Sequence, residues 1–106
     1  MLRSHTCGEL TKTHLNKKVT LSGWVHKIRN KGFIVWIDLR DRYGLTQLVF
    51  DEKRTPKGVY KKSLVLGREF VVQIRGEVLE RESKNPSLFT GDIEILVEEI
   101  NVLSES

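Results

Sequence analysis

Trp36 is the residue whose type and position point most directly to binding of a ligand. Val35, Ile37 and Leu39 recur at every second position, which places these apolar residues on one face of a strand. Trp36 lies between them and therefore points outward. An outward indole offers a flat surface on which an unpaired base can stack, a contact worth about 1–3 kcal/mol. The alternative is a register shifted by one residue, with Trp36 in the core.

Basic and amide side chains surround this indole in the predicted hairpins. Lys27, Arg29 and Lys31 lie on the preceding strand and its turn, and Gln47 lies on the following strand. Lysine and arginine can follow phosphates, whereas a glutamine amide both donates and accepts hydrogen bonds toward a base edge. The combination favours single-stranded nucleic acid as the ligand.

The charge of the chain is distributed unevenly. The net charge is +4, but residues 1–62 contain 14 lysine and arginine residues against 5 acidic ones, and residues 63–106 contain 4 against 9. The resulting balances of +9 and −5 predict one strongly positive side, which suits a polyanion. A lopsided surface that only keeps the protein soluble is the alternative interpretation.

Residues for catalysis or metal binding are sparse in the sequence. It has neither a Gly-rich phosphate loop nor the pairing of a nucleophile with a base. His5, Cys7 and His14 match no zinc spacing and lack a fourth ligand, so we expect no metal site. The run from Asp38 to Arg42 alternates acids with arginines, which predicts structural ion pairs across strand ends.

Length and composition predict one domain over residues 1–106 in a cytoplasmic protein. The sequence has no apolar run near the roughly 18 residues that a membrane span needs, and its N-terminus lacks the apolar core of a secretion signal. Its single cysteine is compatible with a reducing compartment. We therefore expect no membrane partner.

Five strands and one helix are needed to position these side chains. Alternating apolar residues predict strands over 19–25, 33–38, 45–51, 70–78 and 92–103. Val59, Ser63 and Leu66 at helical spacing predict a helix between the third and fourth strands, and a helical turn is expected around residues 9–14. Gly23 in mid-strand predicts a bulge or a sharp bend.

This order is that of the OB-fold, a five-stranded Greek-key barrel, so the predicted class is all-β with one short helix. An SH3-like barrel is the main alternative, but it would not normally place a helix between its third and fourth strands.

Four stretches of the sequence carry a family resemblance: residues 3–10, 23–29, 36–51 and 90–96. They resemble the N-terminal anticodon-binding domain of bacterial aspartyl-tRNA synthetases, and the resemblance extends over essentially all 106 residues. Related barrels precede the catalytic domains of the asparagine and lysine enzymes. The run from Asp38 to Arg42 followed by Gln47 is most similar to the aspartate enzyme.

The resemblance implies a class II aspartate–tRNA ligase, whose ATP and Mg²⁺ chemistry would lie in a catalytic domain outside these residues. The chain would then be its tRNA-recognition module, with no catalytic centre and no cofactor of its own. The resemblance further implies a homodimer for the full enzyme, whereas we expect the isolated domain to be a monomer.

The resemblance also implies roles for the residues around the indole. Trp36 stands where the family typically has phenylalanine and would stack on the middle anticodon base, a uracil. Gln47 would hydrogen-bond that uracil, and Arg29 would contact the loop from the first strand. Lys27 and Lys31 are expected to make weaker contacts with backbone phosphates.

The first and third bases would be recognised by later residues. Glu94 would accept hydrogen bonds from the two N–H donors on the edge of a guanine, which a carboxylate can do. Arg81 and Asn85, in the loop before the last strand, would bind the third base, a cytosine. Without the resemblance, Glu94 would be interpreted as a solvated strand residue.

Three other classes of function remain open at this point. A sequence-neutral single-strand binder would use the same stacking surface without preference among loops. A protein-interaction barrel would bind no nucleic acid, and Trp36 would anchor a peptide. A nuclease or other enzyme is the weakest alternative, because nothing in the sequence supplies a metal or a nucleophile.

Overall fold

Five strands close into a barrel in the computed structural model, which describes residues 3–105. The elements are a 3-10 helix (Lys12–His14), β1 (Lys18–Asn30), β2 (Ile34–Asp41), β3 (Gly44–Asp51), α1 (Lys57–Ser63), β4 (Val71–Glu80) and β5 (Ile93–Ser104). The strand order around the barrel is β1-β2-β3-β5-β4, with β3 and β5 parallel and all other neighbours antiparallel. This order, with α1 between β3 and β4, confirms the predicted OB-fold class.

The strand register agrees with the apolar alternation of the sequence. Val35, Ile37 and Leu39 are each fully buried, as are Ile93, Ile95 and Val97 on β5. Burying one such side chain stabilises the fold by about 1.5–3 kcal/mol, so a one-residue slip of either strand would be costly. The outward orientation predicted for Trp36 is therefore confirmed, and the shifted register is excluded.

β1 is longer than predicted because it changes partner along its length. Its first half pairs with β4 and its second half with β2, and the pairing with β2 shifts between Val25 and Lys27. The bulge therefore lies at His26 and not at Gly23, where the sequence predicts a bulge or a sharp bend. Gly23 serves another purpose, since a Cβ there would collide with the carbonyl oxygen of Arg40.

The N-terminal segment and α1 complete the core. Cys7 and Leu10 are fully buried, and the 3-10 helix that follows them is capped by the side chain of Thr11. Tyr60 on α1 and Leu66 after it also belong to the buried cluster, although the helix itself ends at Ser63, before the predicted Leu66. Within the described residues, no helix is long and apolar enough to span a membrane.

Asp41 binds backbone groups rather than an arginine. Its carboxylate accepts hydrogen bonds from the backbone N–H groups of Cys7 (2.8 Å), Tyr43 (2.8 Å) and Gly44 (3.0 Å). No residue from Asp38 to Arg42 forms an ion pair with any described residue. The prediction of ion pairs in this run was wrong, because an acid that precedes a tight turn finds backbone donors closer than any side chain.

Candidate nucleic-acid interface

A groove of about 470 Å³ runs across the outer face of the barrel. Five of the six residues predicted to contact an anticodon line it, namely Arg29, Trp36, Gln47, Arg81 and Glu94. Four elements supply these residues: β1, β2, β3 and the region from the end of β4 to β5. Asn85 is the one predicted contact that does not line the groove.

Strand register explains why these distant residues meet. Arg29 on β1 lies directly opposite Trp36 on β2, and Trp36 lies opposite Val49 on β3. Leu48 pairs with Ile95 in the parallel ladder between β3 and β5, and both point inward. Their neighbours Gln47 and Glu94 therefore point outward side by side.

The indole of Trp36 is half-buried and has a cation beside it. The guanidinium carbon of Arg29 lies 5.8 Å from the centroid of the Trp36 ring, within the range of a cation–π contact. Val49, the cross-strand partner of Trp36, is only 2% exposed. The indole is thus held at the floor of the groove and still reaches solvent.

A chain of hydrogen bonds connects Arg29, Gln47 and Glu94. Nη2 of Arg29 donates to Oε1 of Gln47 over 2.7 Å, and Nε2 of Gln47 donates to Oε1 of Glu94 over 2.8 Å. Gln47 is only 5% exposed. The structure therefore brings the three predicted residues into direct contact, with the amide in the middle and buried.

Arg81 and Asn85 occupy different environments in the β4–β5 loop. The Nε atom of Arg81 is buried and has no hydrogen-bond partner among the described residues. A buried N–H without a partner costs about 1–3 kcal/mol, which an acceptor on a ligand would recover. The side-chain oxygen of Asn85 instead accepts hydrogen bonds from the N–H (3.1 Å) and hydroxyl (2.6 Å) of Ser87. Asn85 therefore shapes the loop.

Several groove residues were not identified from the sequence: Ile34, Val49, Arg54, Leu79, Glu80, Glu82 and Ser83. Arg54 is the most relevant to nucleic acid, since it lies at one edge of the groove and pairs with Asp51 over 2.9 Å. Burial would raise the pKa of Asp51, but hydrogen bonds from Lys53 and Arg54 lower it overall. Arg54 follows shortly after Asp51, which ends β3 opposite Ile34, and this position is the feature from which the sequence could have located Arg54.

The groove itself is balanced in charge, and the positive excess lies beside it. Three arginines and three glutamates line it. Lys27 and Lys31 are exposed on the β1–β2 hairpin, outside the groove. The strands β1, β2 and β3, which belong to the basic first 62 residues, are consecutive neighbours in the barrel. The exposed Lys27 and Lys31 thus place positive charge outside a groove whose own charges balance.

The N-terminal histidines and cysteine do not converge on one point. The rings of His5 and His14 meet edge to face with centroids 5.3 Å apart, while Cys7 is buried. Burial raises the pKa of the Cys7 thiol, which keeps it protonated at neutral pH. Among residues 3–105 no three side chains of His, Cys, Asp or Glu are arranged to hold a metal ion.

Comparison with known proteins places this geometry among nucleic-acid binders. Residues 19–103 match the tRNA anticodon family model, described as an OB-fold nucleic acid binding domain. The aspartate–tRNA ligase of Flavobacterium psychrophilum is 59% identical over 106 residues, which is 100% of this chain and 18% of that protein. The chain thus spans less than a fifth of the length of this relative.

Two solved structures share the fold. The asparaginyl-tRNA synthetase from Pyrococcus horikoshii, complexed with asparaginyl-adenylate, superposes with a TM-score of 0.82 and 27% identity, over 100% of this chain and 23% of that one. OBody AM2EP06, bound to hen egg-white lysozyme, superposes with a TM-score of 0.90 and 25% identity, over 100% of this chain and 97% of that one.

Proposed function

This chain belongs to the tRNA anticodon family of OB-fold nucleic acid binding domains, and from that premise we propose that its groove binds the anticodon loop of the aspartate tRNA. The observation that carries the proposal is the convergence of Trp36, Arg29, Gln47 and Glu94 in one groove. A stacking surface, a cation, an amide and a carboxylate are the groups that recognise unpaired bases.

The larger protein that this recognition would serve is an aspartate–tRNA ligase, as in the relative of which the chain spans 18%. The ATP-dependent attachment of aspartate, with its Mg²⁺, belongs in this proposal to a part of the ligase outside these residues. We place the ligase in the cytoplasm as a homodimer, and the isolated chain in solution as a monomer.

The middle base, a uracil, stacks on Trp36 in this proposal. The indole is half-buried, so one base can cover its remaining surface without displacing core residues. Arg29 contributes the N–H groups that Gln47 does not use, because a guanidinium has five donors and Gln47 takes one. The uracil carbonyl oxygens are the matching acceptors.

The first base, a guanine, is bound by Glu94. One of its oxygens already accepts from Gln47, and a carboxylate has about four acceptor positions in all. The remaining positions suffice for the two adjacent N–H donors of a guanine edge. The edge of adenine offers one donor (N6) beside one acceptor (N1), so it cannot form both of these hydrogen bonds.

The third base, a cytosine, lies against Arg81. Its unpartnered Nε–H matches an acceptor-rich base edge. Asn85 remains a proposed contact only through its amide nitrogen, since its oxygen is used within the loop. Lys27 and Lys31, on the exposed hairpin, are placed to contact the phosphates that lead into the groove.

Two alternatives are tested together with this function. A sequence-neutral single-strand binder would use Trp36 in the same way but would ignore base identity. A protein-binding barrel has support in OBody AM2EP06, which shares the fold and is bound to lysozyme. The charged hydrogen-bond chain in the groove favours a polar, base-like ligand over an apolar peptide anchor.

The experiment is a titration of the purified chain with stem-loop RNAs that differ by one anticodon base. We expect the loop guanine-uracil-cytosine to bind most tightly, with a loss of about 1–3 kcal/mol for each changed base. Equal affinity for all loops would support the sequence-neutral binder. Failure to bind any loop at low salt would support the protein-binding barrel.

A further inference from the structure

Gln47 lies between two oppositely charged side chains that the proposed function assigns to different bases. It accepts from Arg29 on one side and donates to Glu94 on the other, and it is nearly fully buried. No other pair of groove side chains in the described residues is bridged in this way. This position distinguishes Gln47 from a side chain that simply points at a ligand.

The two hydrogen bonds fix the direction of the amide. In the reverse orientation, the Nε2 hydrogens would face the guanidinium of Arg29 and Oε1 would face the carboxylate of Glu94. Both contacts would then be repulsive, because a guanidinium cannot accept and an ionised carboxylate cannot donate. The orientation of Gln47 therefore depends on both neighbours, and each neighbour is oriented by Gln47.

We propose that Gln47 is a positioning residue that couples recognition of the first anticodon base to recognition of the middle base. The proposal rests on the proposed function of the groove, and it adds that the two bases are not recognised independently. A guanine on Glu94 fixes the carboxylate, which fixes the amide and through it Arg29. The middle uracil then meets an Arg29 that is already oriented.

The expected sign of this coupling is favourable. Losing the guanine loosens Glu94 and Gln47, so part of the contribution of the uracil is lost with it. A loop with both correct bases should therefore bind more tightly than the two single-base effects predict. Coupling between sites in proteins is typically about 5- to 150-fold in affinity, and we expect the lower part of that range.

The test is a double-mutant cycle on the RNA. It uses four stem-loop RNAs that carry guanine or adenine as the first anticodon base and uracil or cytosine as the second. Affinities are measured for the wild-type chain and for Gln47→Met, which keeps the length of the side chain and removes both hydrogen bonds. Gln73→Met is the matched control, since Gln73 is a glutamine on β4 that lines a different crevice. The comparison with Gln47→Met subtracts any coupling that arises within the RNA itself.

We expect a coupling of at least about fivefold in the wild type and in Gln73→Met, and of no more than about twofold in Gln47→Met. Equal coupling in Gln47→Met and wild type overturns the inference. So does a wild-type chain for which each single base change clearly lowers affinity but the two effects simply add. The latter result leaves the proposed function intact. Loops that all bind equally would instead overturn the proposed function and the inference together.

A second measurement needs no variant at position 47 to fold. The side-chain amide protons of Gln47 are followed by NMR in the wild-type chain, with those of Gln73 as the internal reference. Because Gln47 contacts both neighbours, its resonances should shift with a loop that has only the correct first base and also with one that has only the correct middle base. A shift with only one of these loops overturns the coupling.

Discussion

Arg29 and Trp36 face each other across β1 and β2, and the guanidinium carbon of Arg29 lies 5.8 Å from the centroid of the indole. A cation at this distance is attracted to the ring by about 0.5–1 kcal/mol at an exposed site. The same arginine also donates to Gln47, so it connects the stacking surface to the polar part of the groove. The groups that we propose to bind bases are therefore connected, and substitution of each should have a different effect.

Substitution of Trp36 should weaken binding of every loop. Trp36→Ala removes a stacking surface that any base can use, so the expected loss is about 1–3 kcal/mol regardless of sequence. Trp36→Phe should retain most of the affinity, since a phenyl ring still stacks. Tyr43→Ala is the control, because Tyr43 is an exposed aromatic residue outside the groove. If a fluorescence anisotropy titration shows unchanged affinity for Trp36→Ala, the indole does not contact the RNA.

Binding should depend on salt through the β1–β2 hairpin. Each phosphate neutralised on a single strand contributes a slope of about −0.7 in log K against log salt, so Lys27→Gln with Lys31→Gln should make the slope shallower by about 1.4. Lys18→Gln is the control for lost charge, because Lys18 lies at the opposite end of β1 and pairs with Glu77 and Glu98. A slope that is the same in the double variant and the wild type would exclude these lysines from phosphate contact.

The fold class and the outward position of Trp36 could be predicted because they follow from local patterns. The period of two in a strand determines which face is buried, and Val35, Ile37 and Leu39 leave only one register. The helix between β3 and β4 could be predicted for the same reason, because the spacing of apolar residues changes there from that of a strand to that of a helix.

The features that the sequence did not predict all depend on partners distant in the chain. The position of the bulge at His26 depends on the register of β1 against β2, which the residues around Gly23 do not show. The burial of Gln47 follows from the parallel pairing of β3 with β5, which brings Glu94 beside it. Sequence identifies the residue types of the groove, whereas topology determines which of them touch.

The chain alone should not catalyse aspartate-dependent exchange of pyrophosphate into ATP. Its sequence has no phosphate-binding loop and no nucleophile paired with a base. The groove carries three arginines and three glutamates, so it has no excess of positive charge to hold a triphosphate. The measurement is radiolabelled exchange, with a full-length aspartate–tRNA ligase as the positive control. Exchange above the background of a reaction without protein would contradict the assignment of a recognition module.

Asp41 should contribute to stability and not to base recognition. Asp41→Ala leaves the backbone N–H groups of Cys7, Tyr43 and Gly44 without their acceptor, at a cost of about 1–3 kcal/mol in the free energy of unfolding. Urea denaturation measures this loss. Asp38→Ala, on the same strand, is the control and should lose less, because backbone N–H groups of described residues bond to the carboxylate of Asp41 and not to that of Asp38. Equal losses would argue against the role of Asp41 at the turn.

Glu94 should be the groove residue that contacts the first base directly. Glu94→Gln keeps the shape of the side chain but replaces one acceptor with a donor. If its oxygen turns toward Nε2 of Gln47, its NH₂ faces the two donors of guanine; if it turns the other way, the NH₂ faces Gln47. Either orientation leaves one donor–donor conflict.

The guanine-first loop should therefore lose about 1–3 kcal/mol in Glu94→Gln. The adenine-first loop should lose less, since an amide matches a base edge with one donor and one acceptor. The ratio of the two affinities should then shrink in Glu94→Gln and stay constant in Trp36→Ala, which affects both loops equally. Glu98→Gln is the matched control, because Glu98 lies farther along β5 and pairs with Lys18 outside the groove. Uniform losses in both groove variants would mean that Glu94 does not recognise a base, and would favour a sequence-neutral single-strand binder.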